Sequence, residues 1–324
     1  MKNVCVVGYG AVGSVHASTL MNIDEVNFYA VCDVEPERIR ICKEKYDVVS
    51  YTDYSEMLED SNIHAVHICT PHYLHFEMVK LALEKGKEII CEKPLTISSS
   101  EFDEMLKLPN IEKVAVIFQN RLNACVEKMQ EILQSGKLGK IKCARGLVTW
   151  YRSKEYYTES PWRGKWATEG GGVLINQTIH TVDLIGYLLG GYKSLKAEMT
   201  NFSLKDVIEV EDTFIANYTM CNDAKAVFFA TNSYLSNSSP DIEIVCENGT
   251  LHYTDGMLIE NGEIICKDTL ATGEKAYWGT GHGRLFHNYY ALGKHFTVFD
   301  AENTMKTVFA MYESAKNNGK EVNI

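Results

Sequence analysis

No stretch of 18 consecutive apolar residues occurs in this 324-residue chain, so no bilayer-spanning helix is written into it. It has no basic excess either. Its 32 Lys and Arg against 43 Asp and Glu leave a formal charge of −11, which argues against nonspecific binding to nucleic acid or an anionic membrane. The ten cysteines (Cys5, Cys32, Cys42, Cys69, Cys91, Cys125, Cys143, Cys221, Cys246 and Cys266) contain no C-x-x-C pair. That excludes a zinc ribbon or thioredoxin-like motif, and reduced thiols packed as small hydrophobes are expected. Histidines and carboxylates show no H-x-x-x-H or other metal-ligand spacing, so no metal is expected. There is no internal repeat and no low-complexity linker. A strand-like run begins right after Met1-Lys2-Asn3 and leaves no room for a signal peptide, so a cytoplasmic protein is expected.

What is present is globular: 45% hydrophobic and 23% charged residues, in a chain long enough for two domains. The first part alternates apolar runs with helix-like stretches. The runs are Val4–Gly8, Phe28–Cys32, Ala65–Cys69, Glu88–Cys91 and Val114–Phe118. Each is short and mostly β-branched or apolar, as in a parallel sheet buried on both faces. Helices are expected near Ala11–Met21, Glu35–Tyr46, Tyr54–Glu59, Leu74–Glu84 and Ser98–Leu106. This alternation predicts a doubly wound α/β domain over 1–120.

The rhythm changes after Arg121. A helix (Asn123–Gln134), a strand (Lys140–Trp150), a polar and aromatic loop (Tyr151–Trp166) and an apolar helix (Val173–Leu189) follow. Then come strand-like runs: Leu195–Thr200, Thr213–Met220, Ala224–Ala230, Asp241–Cys246, Thr250–Tyr253, Met257–Ile259 and Glu263–Cys266. Asn248-Gly249 and Asn261-Gly262 between them are hairpin cues. Helices near Arg284–Phe296 and Ala301–Asn317 close the chain. The expectation for 121–324 is a substrate-binding α+β domain on a large, open, mostly antiparallel sheet. Its open face suggests a homodimer or homotetramer.

Gly8-Tyr9-Gly10-Ala11-Val12-Gly13 is G-x-G-x-x-G between the first strand and the first helix. The first glycine permits the tight turn, the second admits a pyrophosphate, and the third lets helix and strand approach. The helix N-terminus offers free N–H groups and a positive dipole end to phosphates. Asp33 follows the last glycine by 20 residues, placed to accept both adenine-ribose hydroxyls and to repel a 2′-phosphate. NAD is therefore expected over NADP, with Arg38 softening the repulsion.

Three further motifs narrow the reading. Cys69-Thr70-Pro71-His72-Tyr73-Leu74-His75 and Glu92-Lys93-Pro94 each follow a strand, and Gly170-Gly171-Gly172 leads into Asn176-Gln177-Thr178-Ile179-His180. Together with the fingerprint, down to Tyr277-Trp278-Gly279-Thr280-Gly281-His282, the chain resembles the glucose–fructose oxidoreductase / inositol dehydrogenase (Gfo/Idh/MocA) family. The resemblance implies that Lys93 is the catalytic lysine and His180 the histidine at the reacting oxygen. It implies that Cys69, Thr70, Pro71, His75, Glu92, Lys93 and Gln119 line the cofactor. The inositol dehydrogenase branch has aspartate where this chain has Asn176, which can hold a sugar hydroxyl but cannot carry a proton.

Oxidising a secondary alcohol needs a hydride acceptor and a group that takes the hydroxyl proton. On a continuous helix, Asn176 and His180 share a face at i, i+4. Imidazole suits proton transfer near neutrality, and an ammonium at Lys93 would stabilise a developing alkoxide. Asp183 either orients His180 or lies on the helix surface. Arg152, Tyr157, Trp162, Arg163, Trp278 and His282 are the aromatic and hydrogen-bonding mixture that carbohydrate sites use, and four of them (Arg152, Tyr157, Arg163 and His282) are expected to contact substrate together with Lys93, Asn176 and His180. The expected activity is hydride transfer between a sugar or cyclitol hydroxyl and the nicotinamide. The alternatives are an NAD-dependent glycosidase working by transient oxidation and a non-catalytic NAD-binding regulator.

Overall fold

Short β-branched runs separated by amphipathic stretches can bury their backbone only side by side with helices on both faces, and that is how the first part of the chain folds. The computed structural model describes residues 1–269 and 280–324. The chain divides into two compact units, Met1–Ile117 with His282–Ala301, and Phe118–Gly281 with Glu302–Ile324. Segment His282–Ala301 thus belongs with the first unit although it lies late in the sequence.

In the first unit β1 (Lys2–Val7), α1 (Ala11–Leu20), β2 (Val26–Cys32), α2 (Pro36–Lys45), β3 (Val49–Tyr51), α3 (Tyr54–Glu59), β4 (Ala65–Ile68), α4 (His75–Glu84), β5 (Glu88–Cys91), α5 (Ser99–Met105) and β6 (Val114–Val116) follow in order. The six strands form one parallel sheet in the order β3-β2-β1-β4-β5-β6. Its direction of winding reverses between β1 and β4, where such sheets bind ligands at their carboxyl ends. Strand β3 escaped the sequence reading because Val49 is exposed, Ser50 and Tyr51 are only partly buried at the sheet edge, and the three carry no apolar run.

In the second unit, a 3-10 turn (Gln119–Leu122), α6 (Ala124–Gln134), β7 (Ile141–Thr149), α7 (Lys154–Thr158), a π turn (Val173–Gln177) and α8 (Ile179–Leu189) precede the strands. These are β8 (Tyr192–Thr200), β9 (Thr213–Met220), β10 (Lys225–Thr231), β11 (Asp241–Cys246), β12 (Thr250–Thr254), β13 (Met257–Glu260) and β14 (Glu263–Lys267). Helices α9 (Gly281–Leu292) and α10 (Val298–Lys316) and the two-residue β15 (Val322–Asn323) complete the chain. The sheet order is β14-β13-β12-β11-β7-β10-β9-β8-β15. Neighbours are antiparallel except β7 and β10, which run parallel. The expected α/β plus mostly antiparallel α+β architecture is therefore observed. At the β13–β14 turn Asn261 and Gly262 both take positive φ (52° and 92°), the requirement of the tight hairpin that their sequence signals. All ten cysteines are free thiols, and among the described residues no helix is long and apolar enough to cross a membrane.

Asp183 neither orients His180 through a hydrogen bond that the structure shows nor lies on the surface. It is 1% exposed, takes Arg121 Nε and Nη2 at 2.8 and 2.5 Å on its two oxygens, and accepts the Thr304 hydroxyl at 2.7 Å. Arg121 in turn lies over the rings of Phe118 and Tyr187. Removing one partner of such a pair leaves an uncompensated buried charge. Arg121→Met is expected to lose about 3–5 kcal/mol in urea unfolding, while the double replacement Arg121→Met with Asp183→Leu recovers most of that loss.

Candidate functional site

The turn after β1 is built around two close approaches. Gly8 has φ +85°, and a Cβ there would lie 2.8 Å from the carbonyl oxygen of Cys69. A Cβ on Gly13 would lie 2.0 Å from the carbonyl oxygen of Gly8. Around Gly10, by contrast, a Cβ would meet nothing within 4 Å. Gly10 caps α1 without any side-chain hydrogen bond to the helix, so the first N–H groups of α1 are not taken by a capping side chain. An open glycine at the bare N-terminus of a helix fits a pyrophosphate.

Asp33 closes this turn from below. It is 5% exposed; its Oδ2 accepts the Tyr9 N–H at 2.7 Å and its Oδ1 the Glu35 N–H at 2.9 Å. The Arg38 guanidinium stands 3.5 Å from Oδ2 with its side chain half exposed. The carboxylate thus holds the glycine turn against the end of β2 and keeps lone pairs for a ribose diol. These residues fit the dinucleotide expected from the sequence. Gly13→Ala is expected to weaken NAD binding by an order of magnitude or more, measured by titration calorimetry.

The loops after β4 and β5 are tied together. His75 is fully buried, with Nδ1 2.7 Å from the Pro94 carbonyl and Nε2 2.9 Å from the Thr70 carbonyl. Burial pushes its pKa down, while the two carbonyls favour the charged form. His75 therefore braces the Thr70 loop against the segment carrying Lys93. Cys69, Thr70, Pro71 and half-buried Lys93 sit at the rims of these loops.

Behind Lys93 lies a histidine cluster that the sequence did not disclose. Glu92 Oε1 is 3.1 Å from His16 Nε2 and 3.9 Å from His282 Nε2. His16 Nδ1 meets His67 Nδ1 at 2.9 Å, and His67 Nε2 meets the Tyr290 hydroxyl at 2.8 Å. Burial alone would raise the Glu92 carboxyl, but His16, His282 and the Lys93 charge hold it well below its ordinary range. Burial pushes His67 down, and the His16 charge adds to this. The donor atoms of His16, Glu92 and His282 lie within 4.8 Å of one another, a grouping that only the fold assembles. His282, expected at the sugar, is instead 2% exposed in this cluster, because α9 packs with the first unit.

In the second unit the expected continuous helix Val173–Leu189 is broken. Residues Val173–Gln177 form a π turn, Thr178 has φ −116°, and α8 starts at Ile179. The Thr178 hydroxyl bonds the carbonyls of Val173 and Leu174, which displaces the regular helix ladder. Glu211 fixes the approach to this turn: it accepts the N–H groups of Gly172 and Leu174 and the Tyr312 hydroxyl at 2.9–3.1 Å. Asn176 and His180 are therefore not one helical face. Asn176 Nδ2 donates to Glu169 Oε1, and Gly164 N donates to Glu169 Oε2 at 2.5 Å. His180 packs edge-on against Phe118, ring centres 5.9 Å apart.

Of the remaining candidates, Tyr157 is 3% exposed, packs with Leu204, Ile208 and Val210, and accepts the Asn232 amide at 3.0 Å. It supports the loop from within because its ring fills that apolar cluster. Gln119 is 1% exposed in the second unit, and Gly281 lies against its backbone. Arg152 and Arg163 lie over Tyr156. Tyr277 and Trp278 fall outside the described residues. Residues that sequence reading missed, Glu169, Glu211, Asn232 and Tyr156, carry no motif of their own; only their partners reveal them.

Burial raises both Glu169 and Glu211 to about 7, against the hydrogen bonds they accept. Each group binds its proton more tightly folded than unfolded, so its contribution declines as pH rises from about 4.5 to about 7, by about 3 kcal/mol at ~1.4 kcal/mol per pH unit. Glu211→Gln, whose amide oxygen can keep the bonds made by Oε1, is expected to flatten the fall of Tm between pH 5 and 8.

Residues 2–120 match the family described as an oxidoreductase family with an NAD-binding Rossmann fold, and residues 126–252 match the GFO/IDH/MocA C-terminal domain. The chain is 32% identical over 190 residues to myo-inositol 2-dehydrogenase of Thermotoga maritima, covering 57% of this chain and 54% of that protein. It is 31% identical over 196 residues to D-glucoside 3-dehydrogenase of Escherichia coli, covering 58% and 54%. The match spans little more than half the length of each of these two relatives. Among solved structures, the WlbA dehydrogenase from Chromobacterium violaceum in complex with NADH and UDP-GlcNAcA has TM-score 0.87 at 25% identity, covering 100% of this chain and 96% of that one. Levoglucosan dehydrogenase in complex with NADH and levoglucosan shares the fold at TM-score 0.88 and 21% identity, covering 100% and 99%. With an open glycine turn backed by Asp33 in the first unit, a mostly antiparallel sheet in the second, and family matches across both, the chain belongs to the GFO/IDH/MocA family of NAD-binding oxidoreductases.

Proposed function

We propose that this protein is an NAD-dependent dehydrogenase or reductase acting on a secondary hydroxyl of a sugar, sugar derivative or cyclitol. The observation that carries this reading is the Gly8–Gly13 turn, uncapped at α1 and braced by Asp33. The similarity to proteins named myo-inositol 2-dehydrogenase and D-glucoside 3-dehydrogenase supports it. The first unit binds the cofactor and the second the substrate. When bound, NAD supplies the hydride acceptor. Gly10 and the first turn of α1 bind its phosphates, and Asp33 holds its adenine ribose and disfavours a 2′-phosphate.

Lys93 and His180 divide the proton work on the reacting hydroxyl. The Lys93 ammonium stabilises negative charge on that oxygen, and the His180 imidazole accepts or returns its proton. Asn176, its amide turned toward Glu169, offers its carbonyl oxygen to a neighbouring substrate hydroxyl. Exposed Ile215 and Val227 on neighbouring strands β9 and β10 support a homo-oligomer covering that face of the sheet; light scattering tests this.

Lys93→Met is expected to cut turnover by on the order of 10²–10⁴-fold, with NADH affinity by fluorescence titration changed by no more than about two-fold. Turnover within a few-fold of the parent would remove Lys93 from the chemistry.

A further inference from the structure

From Gly170 to His180 solvent reaches only Asn176 and His180; every other residue of the segment is buried. The Asn176 amide is thus one of two side-chain groups that this segment presents at its surface. Its nitrogen is committed, because Nδ2 donates to Oε1 of Glu169, a residue that is itself 0% exposed. A side-chain amide is planar and carries its donor and its acceptor on opposite sides, so fixing Nδ2 on Glu169 aims Oδ1 away from it.

The Glu169 carboxyl has little freedom of its own. Its main-chain N–H is anchored on the Lys165 carbonyl at 2.9 Å, and its Oε2 accepts the Gly164 N–H at 2.5 Å. Gly164 is wedged in place: its φ is +75°, and a Cβ there would lie 2.6 Å from Ile208 Cγ2. A main-chain N–H only donates, so Oε2 remains an acceptor whether or not the carboxyl is protonated. A proton on Glu169 therefore belongs on Oε1, the oxygen that faces Asn176. Ionised, Oε1 accepts and takes the amide nitrogen; protonated, it donates and takes the amide oxygen. A half turn about the soft Cβ–Cγ bond of Asn176 exchanges the two ends without moving the backbone.

Both forms of Glu169 are populated near neutrality. Burial pushes the carboxyl up to about 7 and the Glu211 charge adds to this, against the Gly164 N–H, the Asn176 amide and the Arg163 charge. Tyr157 in α7 and Tyr312 in α10 also feel its charge, and burial pushes both phenols up, so they stay neutral there.

We infer that Glu169 is a positioning residue that selects which end of the Asn176 amide meets the substrate, the oxygen when Glu169 is ionised and the nitrogen when it is protonated. This rests on Asn176 being a substrate contact in the proposed oxidoreductase. Above the transition Asn176 accepts a proton from a substrate hydroxyl. Below it the same hydroxyl faces an N–H and loses the bond it donated, so affinity falls as pH falls.

The test uses the full-length protein, with asparagine side-chain amides isotopically labelled for NMR and with myo-inositol and D-glucose as substrates oxidised by NAD. The Asn176 amide signal, assigned by its loss in Asn176→Ala, is expected to move between two limits with a midpoint at about 7. In Glu169→Gln the new amide oxygen keeps the Gly164 N–H and its NH2 faces Asn176, so the signal stays at the acid limit at every pH. KM for whichever sugar turns over is expected to be about 10-fold higher below the transition than above it, and high throughout in Glu169→Gln, with kcat changed by less than about 3-fold. Adding Asn176→Asp to Glu169→Gln rebuilds a donor–acceptor pair with an oxygen aimed outward. The low KM returns and this step in its pH profile disappears, a rescue that a merely structural carboxyl would not give. If Glu169→Gln alone does not fold, the parent titration and the double variant still decide. A midpoint that persists in Glu169→Gln, or an amide that turns while KM stays flat, would overturn the inference and leave the oxidoreductase reading standing. Turnover of neither sugar would count against that reading, and the amide signal would still uphold the switch by titrating or overturn it by staying fixed.

Discussion

Buried carboxylates hold the backbone where this fold departs from regular structure. Glu211 is enclosed in the second unit, yet it accepts two main-chain N–H groups from the glycine triplet and the first residues of the π turn. A helix entrance without a capping serine or aspartate leaves its first donors unmet. Glu211 meets them from β9's side of the chain, and the cost of burying the acid appears as its raised pKa. Gly172 is required because a Cβ there would lie 1.9 Å from the Glu211 carbonyl. The same logic recurs at Glu169, which fixes the Asn176 amide, and at Asp33, which fixes the glycine turn. In each case a buried carboxyl group fixes the local conformation through the hydrogen bonds it accepts.

The two units use different means to the same end. In the first, parallel strands deliver loops to one edge of the sheet, and side chains such as His75 tie adjacent loops together through their carbonyls. The dinucleotide turn is open because glycine leaves it open. In the second, the site candidates lie on a broken helix and an aromatic loop, and their geometry depends on cross-chain contacts: Arg121 with Asp183, Tyr157 with Asn232, Tyr156 with Gln177. The first two contacts are buried and the third partly so, and a buried polar contact is expensive to break and specifies one arrangement.

Much of the architecture was legible in the residues. The period-two and β-branched runs gave the strands, Asn261-Gly262 gave a hairpin, and G-x-G-x-x-G with Asp33 gave the dinucleotide turn. What periodicity could not show was any departure from it. The apolar stretch Val173–Leu189 satisfies a helical pattern throughout, and the break at Thr178 arises from a hydroxyl choosing two carbonyls and from Glu211 capturing two N–H groups. Asp183 read as a helix-surface or histidine-orienting acid because its partner, Arg121, is 62 residues away. His282 read as a sugar ligand because its place in the sequence, late in the second half, conceals that α9 packs with the first unit.

Sequence by itself thus determined the local conformations and the chemistry on offer: glycines where backbone must approach closely, a carboxylate after β2, a lysine after β5, and an asparagine where a proton carrier is excluded. Tertiary structure alone decided which charges face one another. It gathered His16, His67, Glu92 and His282, and raised two carboxyls to about 7. The reason is physical: propensity and pattern act over a few residues, whereas burial and charge pairing depend on groups brought together from distant parts of the chain.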